Sequence, residues 1–173
     1  MAKTESINVR AATGADAQAV DEVVASVFGR DDEARLVRQL RGAPGAFELV
    51  AAVRGEVLGH IMFSPVRGRD DSPVLSGAGL APLAVQPRWQ RRGIGSALVT
   101  RGLEECRARA LGLVVVLGHG SYYPRFGFAP ADRIGLRCKW SGDGDRFMYL
   151  ELVAGHAALA NGLIRYRAEF ENL

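Results

Sequence analysis

Residues 90–96 read Gln-Arg-Arg-Gly-Ile-Gly-Ser, which sets two arginines and two glycines at the start of a helix-like stretch. These residue types suit the gripping of a polyphosphate. Glycine lets the backbone approach an anion, and the first N–H groups of a helix have no intrahelical acceptor and point outward. The helix dipole adds about half a positive charge at that end. Arg91 and Arg92 can add charge-assisted contacts. The plain alternative is that Gly93 and Gly95 only shape a turn and both arginines are solvated. Two other phosphate loops fit poorly. A P-loop needs Lys and then Ser or Thr after its last glycine, whereas Ser96-Ala97 follow Gly95. A dinucleotide fingerprint needs a third glycine where Leu98 stands, and an acid where the chain has Leu117-Gly118-His119.

A second stretch with chemistry is Tyr122-Tyr123-Pro124-Arg125-Phe126-Gly127-Phe128. A phenol of ordinary pKa, about 10, stays protonated at neutral pH and can donate. The titratable side chains open to a base role are His60, His119 and Glu33. A lone histidine in an apolar strand is more often a hydrogen-bonded core residue. Cys106 falls on an apolar helix stripe and reads as core, as do Phe47, Phe63 and Phe147. Trp89 either packs on the phosphate loop or shields a base.

The elements that position these groups follow from periodicity. Residues 7–10 predict a first strand. Residues 16–28 carry Ala19, Val20, Val23, Val24 and Val27 at helical spacing, with Thr13 or Asp16 as cap. Residues 31–41 repeat the pattern with Ala34, Val37 and Leu40. Residues 47–53 and 56–63 are strand-like and joined by Arg54-Gly55 as a hairpin. Pro65 and residues 67–72 form a loop, and 79–85 make the next strand, ended by Pro87. Residues 93–111 are the longest helix, with Ile94, Leu98, Gly102, Cys106 and Ala110 on one stripe. Gly102 would allow close packing on a sheet. Residues 113–117 are a buried strand. Residues 122–126 make a short helix or distorted turn around Pro124. Residues 134–138 and 147–153 close the sheet, with a turn at Trp140 and Gly142-Asp143-Gly144 between them. The tail, 155–173, either finishes the sheet or makes a homodimer contact through Leu163, Ile164, Tyr166 and Phe170. The order β-α-α-β-β-β-α-β-α-β-β is mixed α/β, with a strand–helix–strand crossover at its centre.

The chain has 173 residues and reads as a single domain over 1–173, with 48% apolar and 24% charged residues. Its net charge of +3, from 22 basic and 19 acidic residues, is too mild to argue for nucleic acid. The basic residues Arg88, Arg91, Arg92 and Arg101 gather around the 90–96 motif instead. No apolar run approaches the roughly 20 residues of a membrane span. Met1 to Ser6 lack the apolar core of a signal peptide. Cys106 and Cys138 form no metal or disulfide pattern, so a cytoplasmic, metal-free protein is expected.

Taken in order, a strand, Q-x-x-G-x-G opening a helix, a strand, then Y-x-R-x-G-F resemble the GNAT superfamily of acetyl-CoA-dependent N-acyltransferases. Leu80-Ala81-Pro82-Leu83-Ala84-Val85 followed by the 122–128 motif is similar to one bacterial branch of predicted N-acetyltransferases. The likeness covers about residues 47–130, and the two N-terminal helices share it. It implies the acyl-CoA N-acyltransferase fold, a mixed central sheet splayed at the acetyl-CoA site. The backbone of Leu83, Ala84 and Val85 would pair with the pantetheine arm. The amides of Arg91, Arg92, Gly93, Ile94, Gly95 and Ser96 would hold the pyrophosphate, with Phe126 also against the cofactor. Tyr123 aligns with the family's acid for the leaving thiolate, with Tyr122 as the neighbouring alternative. The family's strand carboxylate is missing, because residues 77–82 hold no acid. Glu33, His119, His60 or a water chain would then serve as base. The family's frequent Asn after the central strand is replaced by Gly118-His119-Gly120. The N-terminal helices and the 67–72 loop would flank a pocket for a small-molecule or peptide amine. Asp31, Asp32 and Glu33 would favour a cationic one, or else form a solvated helix start. A non-catalytic CoA-binding module on the same fold is the alternative.

Overall fold

The computed structural model describes residues 6–71, 75–142 and 146–173. Residues 1–5, Ser72 at the end of the expected loop, and Asp143-Gly144 of the expected turn lie outside them. In chain order the structure has β1 (Asn8–Ala11), α1 (Ala17–Phe28), α2 (Asp32–Leu40), β2 (Phe47–Val53), β3 (Glu56–Val66), β4 (Gly77–Val85), α3 (Ile94–Ala108), β5 (Leu113–Leu117), β6 (Ala129–Pro130), β7 (Arg137–Cys138), β8 (Phe147–Glu151) and β9 (Leu163–Ile164). Seven strands form a sheet in the order β1-β2-β3-β4-β5-β8-β6. The β1–β2, β2–β3, β5–β8 and β6–β8 pairs are antiparallel. The β4–β5 pair, joined through α3, is parallel, so the sheet is mixed.

The described chain divides into two compact units, and passes from one to the other within β3, β4 and α3 and once more before residue 172. The first unit comprises residues 1–63, 82–102 and 172–173. Asp16 stands before α1 as expected of a cap, but its carboxylate reaches back instead, accepting from the Thr13 N–H at 2.8 Å and from Arg10 at 2.7 and 2.8 Å. Gly29 ends α1 in the left-handed region, at φ 68°. Arg54 (φ 52°) and Gly55 (φ 84°) turn the β2–β3 hairpin, as their pairing in the sequence predicts. Phe47 and Phe63 are register partners whose rings stack at 4.9 Å. A Cβ on Gly102 would overlap the ring of Phe63, and one on Gly59 would crowd Leu98 and Ile94. These glycines bring α3 onto β3, the close approach predicted from the stripe.

The second unit comprises residues 64–81 and 103–171. Leu113, Val115, Phe147, Leu136 and Ile164 form its core. Two expectations change here. Pro65 belongs to β3, not to a loop. The β2 register ends at Phe63, so that partner asks no N–H of Pro65. Residues 134–138 are not a full strand: residues 131–134 form a 3-10 turn, and Gly135 at φ 68° leaves only Arg137 and Cys138 extended. These two pair with β9 in a separate small sheet. The tail therefore does not extend the main sheet, and Ile164 and Phe170 are buried within the chain.

Candidate active site

The first unit carries the 86–96 turn. Residues 87–89 make a single 3-10 turn. Gln86 fixes the exit from β4, with its N–H on the Leu58 carbonyl at 2.9 Å and its side chain on the Val57 carbonyl at 3.1 Å. The Gln90 side chain reaches back to the Val85 carbonyl at 3.1 Å. That bond gives the glutamine of Q-x-x-G-x-G a structural task that the sequence did not reveal. Arg91 (φ 59°) and Gly93 (φ 84°) are both left-handed. For the arginine this conformation costs about 1–2 kcal/mol, a strain of the sort that gathers at functional turns. The first bonded amide of α3 is that of Ala97, on the Gly93 carbonyl at 2.9 Å. The N–H groups of Ile94, Gly95 and Ser96 therefore have no intrahelical acceptor. A Cβ at Gly93 would meet nothing within 4 Å, so the space before it is open.

Arg91 and Arg92 are exposed, and the Arg92 guanidinium lies over the Trp89 ring at 4.9 Å. Trp89 thus packs against Arg92 of the 86–96 turn, one of the two placements expected of it. Arg88 is drawn away from the turn by Glu56, at 2.7 Å. Leu83, Ala84 and Val85 follow one another at the end of β4, just before this turn.

The second unit carries the tyrosines. The β4–β5 ladder runs only from Gly77–Leu113 to Gly79–Val115. Leu80 and Ala81 of β4 continue without pairing to Val116 and Leu117, while β5 stays paired to β8 as far as Leu117. The two parallel strands part at this level. Just past β5, residues 123–126 form a 3-10 turn closed by Gly127 at φ 96°. The Arg125 guanidinium sits over the Tyr122 ring at 4.6 Å and its Nε donates to the Tyr122 carbonyl at 2.9 Å. Phe126 packs edge-on against Tyr122 at 5.4 Å. Tyr123 is buried, with its ring edge-on to Tyr122 at 5.1 Å and to Phe128 at 5.7 Å. A Cβ on Gly118 would overlap the Tyr123 ring. Glycine in place of a side chain is what seats Tyr123 against the end of β5. Burial, reinforced by Tyr122, pushes the Tyr123 phenol well above its ordinary range. It is protonated throughout the physiological range.

The base candidates are placed differently from one another. His60 is fully buried on β3 and its Nε2 lies 2.8 Å from Glu48 Oε2. Burial pushes the Glu48 carboxyl up, but hydrogen bonds from His60 and Arg41 outweigh it and hold the group below its usual value. Glu33 on α2 is 7% exposed. Its Oε1 accepts from Arg30 at 2.6 Å, while Oε2 is buried without a partner among the described residues. His119 is exposed and follows β5 closely, with its carbonyl accepting the Tyr122 N–H at 3.0 Å. The structure thus gathers His119, Tyr122, Tyr123 and Phe126 in one loop. Glu33 and His60 belong to the first unit. Cys106 is fully buried and its thiol is pushed up to about 12 by burial, which fits the core role. Among the described residues no group of three or more His, Cys, Asp or Glu is placed to hold a metal ion. Among them, too, no helix is long and apolar enough to cross a membrane.

The mixed sheet, the β4–α3–β5 crossover, the glycine turn that opens α3 and the tyrosine after β5 are the features on which the resemblance to acyltransferases rests. The acetyltransferase (GNAT) family model matches residues 17–128, and the chain belongs to that family. It is 34% identical over 161 residues to the uncharacterized N-acetyltransferase YhbS of Escherichia coli strain K12, covering 90% of this chain and 93% of that one. YjhQ of the same strain, also an uncharacterized N-acetyltransferase, is 42% identical over 120 residues, which span 66% of this chain and 65% of that protein's length. The solved structure of Escherichia coli YhbS in complex with CoA superposes with a TM-score of 0.90 at 32% identity, over 99% of this chain and 95% of that one. A GNAT family acetyltransferase from Brucella melitensis in complex with acetyl-CoA gives 0.76 at 29% identity, over 96% and 99%.

Proposed function

We propose that this N-acetyltransferase takes its acetyl group from acetyl-CoA held at the 86–96 turn and passes it to a small-molecule or peptide amine by direct attack. The observation that carries the reading is the open turn: two left-handed residues, Arg91 and Gly93, ahead of three helix amides with no intrahelical acceptor. A pyrophosphate satisfies such amides, and Arg91 and Arg92 add charge-assisted contacts. CoA and acetyl-CoA in the YhbS and Brucella structures support that choice of donor.

Tyr123 is our group for the leaving sulfur. A thiol of pKa near 8.5 is more acidic than a phenol raised above about 10, so full proton transfer to the thiolate runs uphill. The phenol works instead by donating a hydrogen bond that strengthens as negative charge grows on sulfur. For the amine's proton we assign Glu33. Glu33 keeps its buried Oε2 without a described partner and is 7% exposed; His60 likewise keeps Nδ1 without one but is wholly buried, with Nε2 engaged by Glu48, and His119 is exposed. We place the protein in the cytoplasm, in keeping with its free thiols at Cys106 and Cys138. A homodimer would show as twice the chain mass of 18.6 kDa in light scattering.

Thermal denaturation with CoA, acetyl-CoA or ATP tests the donor site. A ligand at 100 times its Kd adds about 2.7 kcal/mol of stability. CoA and acetyl-CoA should both raise Tm. A shift with ATP and none with CoA would sink the reading. A thiol-release screen of polyamines, amino acids, aminoglycosides and peptide N-termini then identifies the acceptor.

A further inference from the structure

Tyr166 lies outside every motif described so far. Its hydroxyl is buried and has no partner among the described residues. The ring is fixed on three sides, by Phe170 at 5.0 Å, by Trp140 at 5.8 Å, and by Gly79. A Cβ on Gly79 would overlap Tyr166 Cε1, the ring carbon next to the one bearing the hydroxyl. The Cδ1–Cε1 edge of the ring therefore occupies the side-chain space of residue 79, with the hydroxyl one ring position beyond Cε1. Gly79 is also the last residue of β4 paired to β5, the level at which the two strands part. Residues 77–82 bring no polar side chain of their own to this level.

A buried hydroxyl left unpaired is destabilising, and a core that needed only the ring would be better served by phenylalanine. The oxygen is best explained by a partner that arrives with the substrate. Burial, with smaller effects from Cys138 and Tyr123, pushes the Tyr166 phenol far above its ordinary range, so it keeps its proton. A neutral phenol oxygen still accepts a hydrogen bond.

We propose that Tyr166 positions the acceptor: its Oη takes an N–H hydrogen bond from the incoming neutral amine where β4 and β5 part, leaving the nitrogen lone pair free to attack. As the C–N bond forms and the C–S bond breaks, the amine's proton goes to the base and the thiolate leaves. Tyr166 keeps its own proton throughout. The proposal rests on the acetyl-CoA reading above.

Two CoA adducts separate the possibilities without an identified acceptor. In one, the sulfur carries a CH2–CO–NH–CH3 group, which presents the N–H. In the other it carries CH2–CO–O–CH3, which has none. Calorimetric titration of the natural chain should show the amide bound about three- to tenfold more tightly than the ester. Tyr166→Phe should bind both adducts equally, bind CoA as the natural chain does, and melt no lower. Tyr166→Met gives the same readout should phenylalanine not be tolerated. Equal binding of amide and ester by the natural chain, or a preference that survives in the variants, overturns the proposal. Failure of CoA itself to bind the natural chain overturns the acetyl-CoA reading instead.

Discussion

At the scale of single residues, Tyr123 and Glu33 carry the chemistry proposed for this chain. Tyr123→Phe removes the donor to sulfur and leaves the ring that packs on Phe128 and Gly118. We expect kcat to fall by about 10²-fold with acetyl-CoA affinity unchanged within about twofold, read by steady-state kinetics and calorimetry. Unchanged turnover would remove Tyr123 from the mechanism. Glu33→Gln should lower kcat by about 10²-fold for an alkylamine but far less for an arylamine of low pKa, which is already neutral in solution. Equal losses for both amines would strike Glu33 from the role of base. The sequence pointed to Tyr123 through its motif and to Glu33 only as one choice among several. It named Tyr166 only among the apolar residues of the tail; the hydroxyl becomes notable only once its lack of a partner among the described residues is seen.

At the scale of elements, glycines decide whether those residues can act. Gly93 is left-handed at φ 84°, yet a Cβ there would meet nothing within 4 Å. The cost of Gly93→Ala is therefore one of backbone conformation, about 1–2 kcal/mol, and urea unfolding should show it. The same change should weaken CoA, because the amides of α3 are aimed by that turn. Gly118 poses the opposite case. Its Cβ would collide with the Tyr123 ring, so Gly118→Ala should reproduce the kcat loss of Tyr123→Phe while leaving CoA binding intact. Full activity in Gly118→Ala would show that the seat of Tyr123 is not needed. Most of these elements were legible in the sequence: the β2–β3 hairpin, the α3 stripe, the β4–α3–β5 crossover. Residues 134–138 were not, because alternating burial at Leu136 and Cys138 imitates a longer strand that Gly135 in fact interrupts. Pro65 misled in the other direction, since a proline past the end of its partner strand costs the ladder nothing there.

At the scale of the whole molecule, paired carboxylates and buried acids set the pH range of stability. Hydrogen bonds from Arg10 and Thr13 hold Asp16 far below the usual carboxylate range, against its burial. Glu48 is held low by His60 and Arg41, also against burial. A carboxylate with a depressed folded pKa stabilises above its unfolded value, about 4, and that contribution disappears as pH falls through the folded value. Stability should be level from about pH 5 to 8 and decline below about 4. Asp16→Asn should lose roughly 1–2 kcal/mol at pH 7 and progressively less as pH falls below about 4, by denaturant titration. A constant difference across that range would show that Asp16 acts through packing alone. On the alkaline side the sign reverses. Cys106, pushed up to about 12, and the two raised phenols ionise more readily in the unfolded chain, so stability should also fall above about pH 8.5. The sequence by itself determined the family, the crossover, the glycine turn that opens α3 and the placement of Tyr123 after the central strand. Each of these depends on local spacing, which survives in a linear string. Only the tertiary structure decided that Gln90 ties the turn to Val85, that His60 is engaged by Glu48, and that Tyr166 fills the side-chain space of Gly79. Those contacts join residues up to 87 positions apart along the chain, from Gly79 to Tyr166, and no local pattern encodes which distant side chain will occupy a space left by glycine.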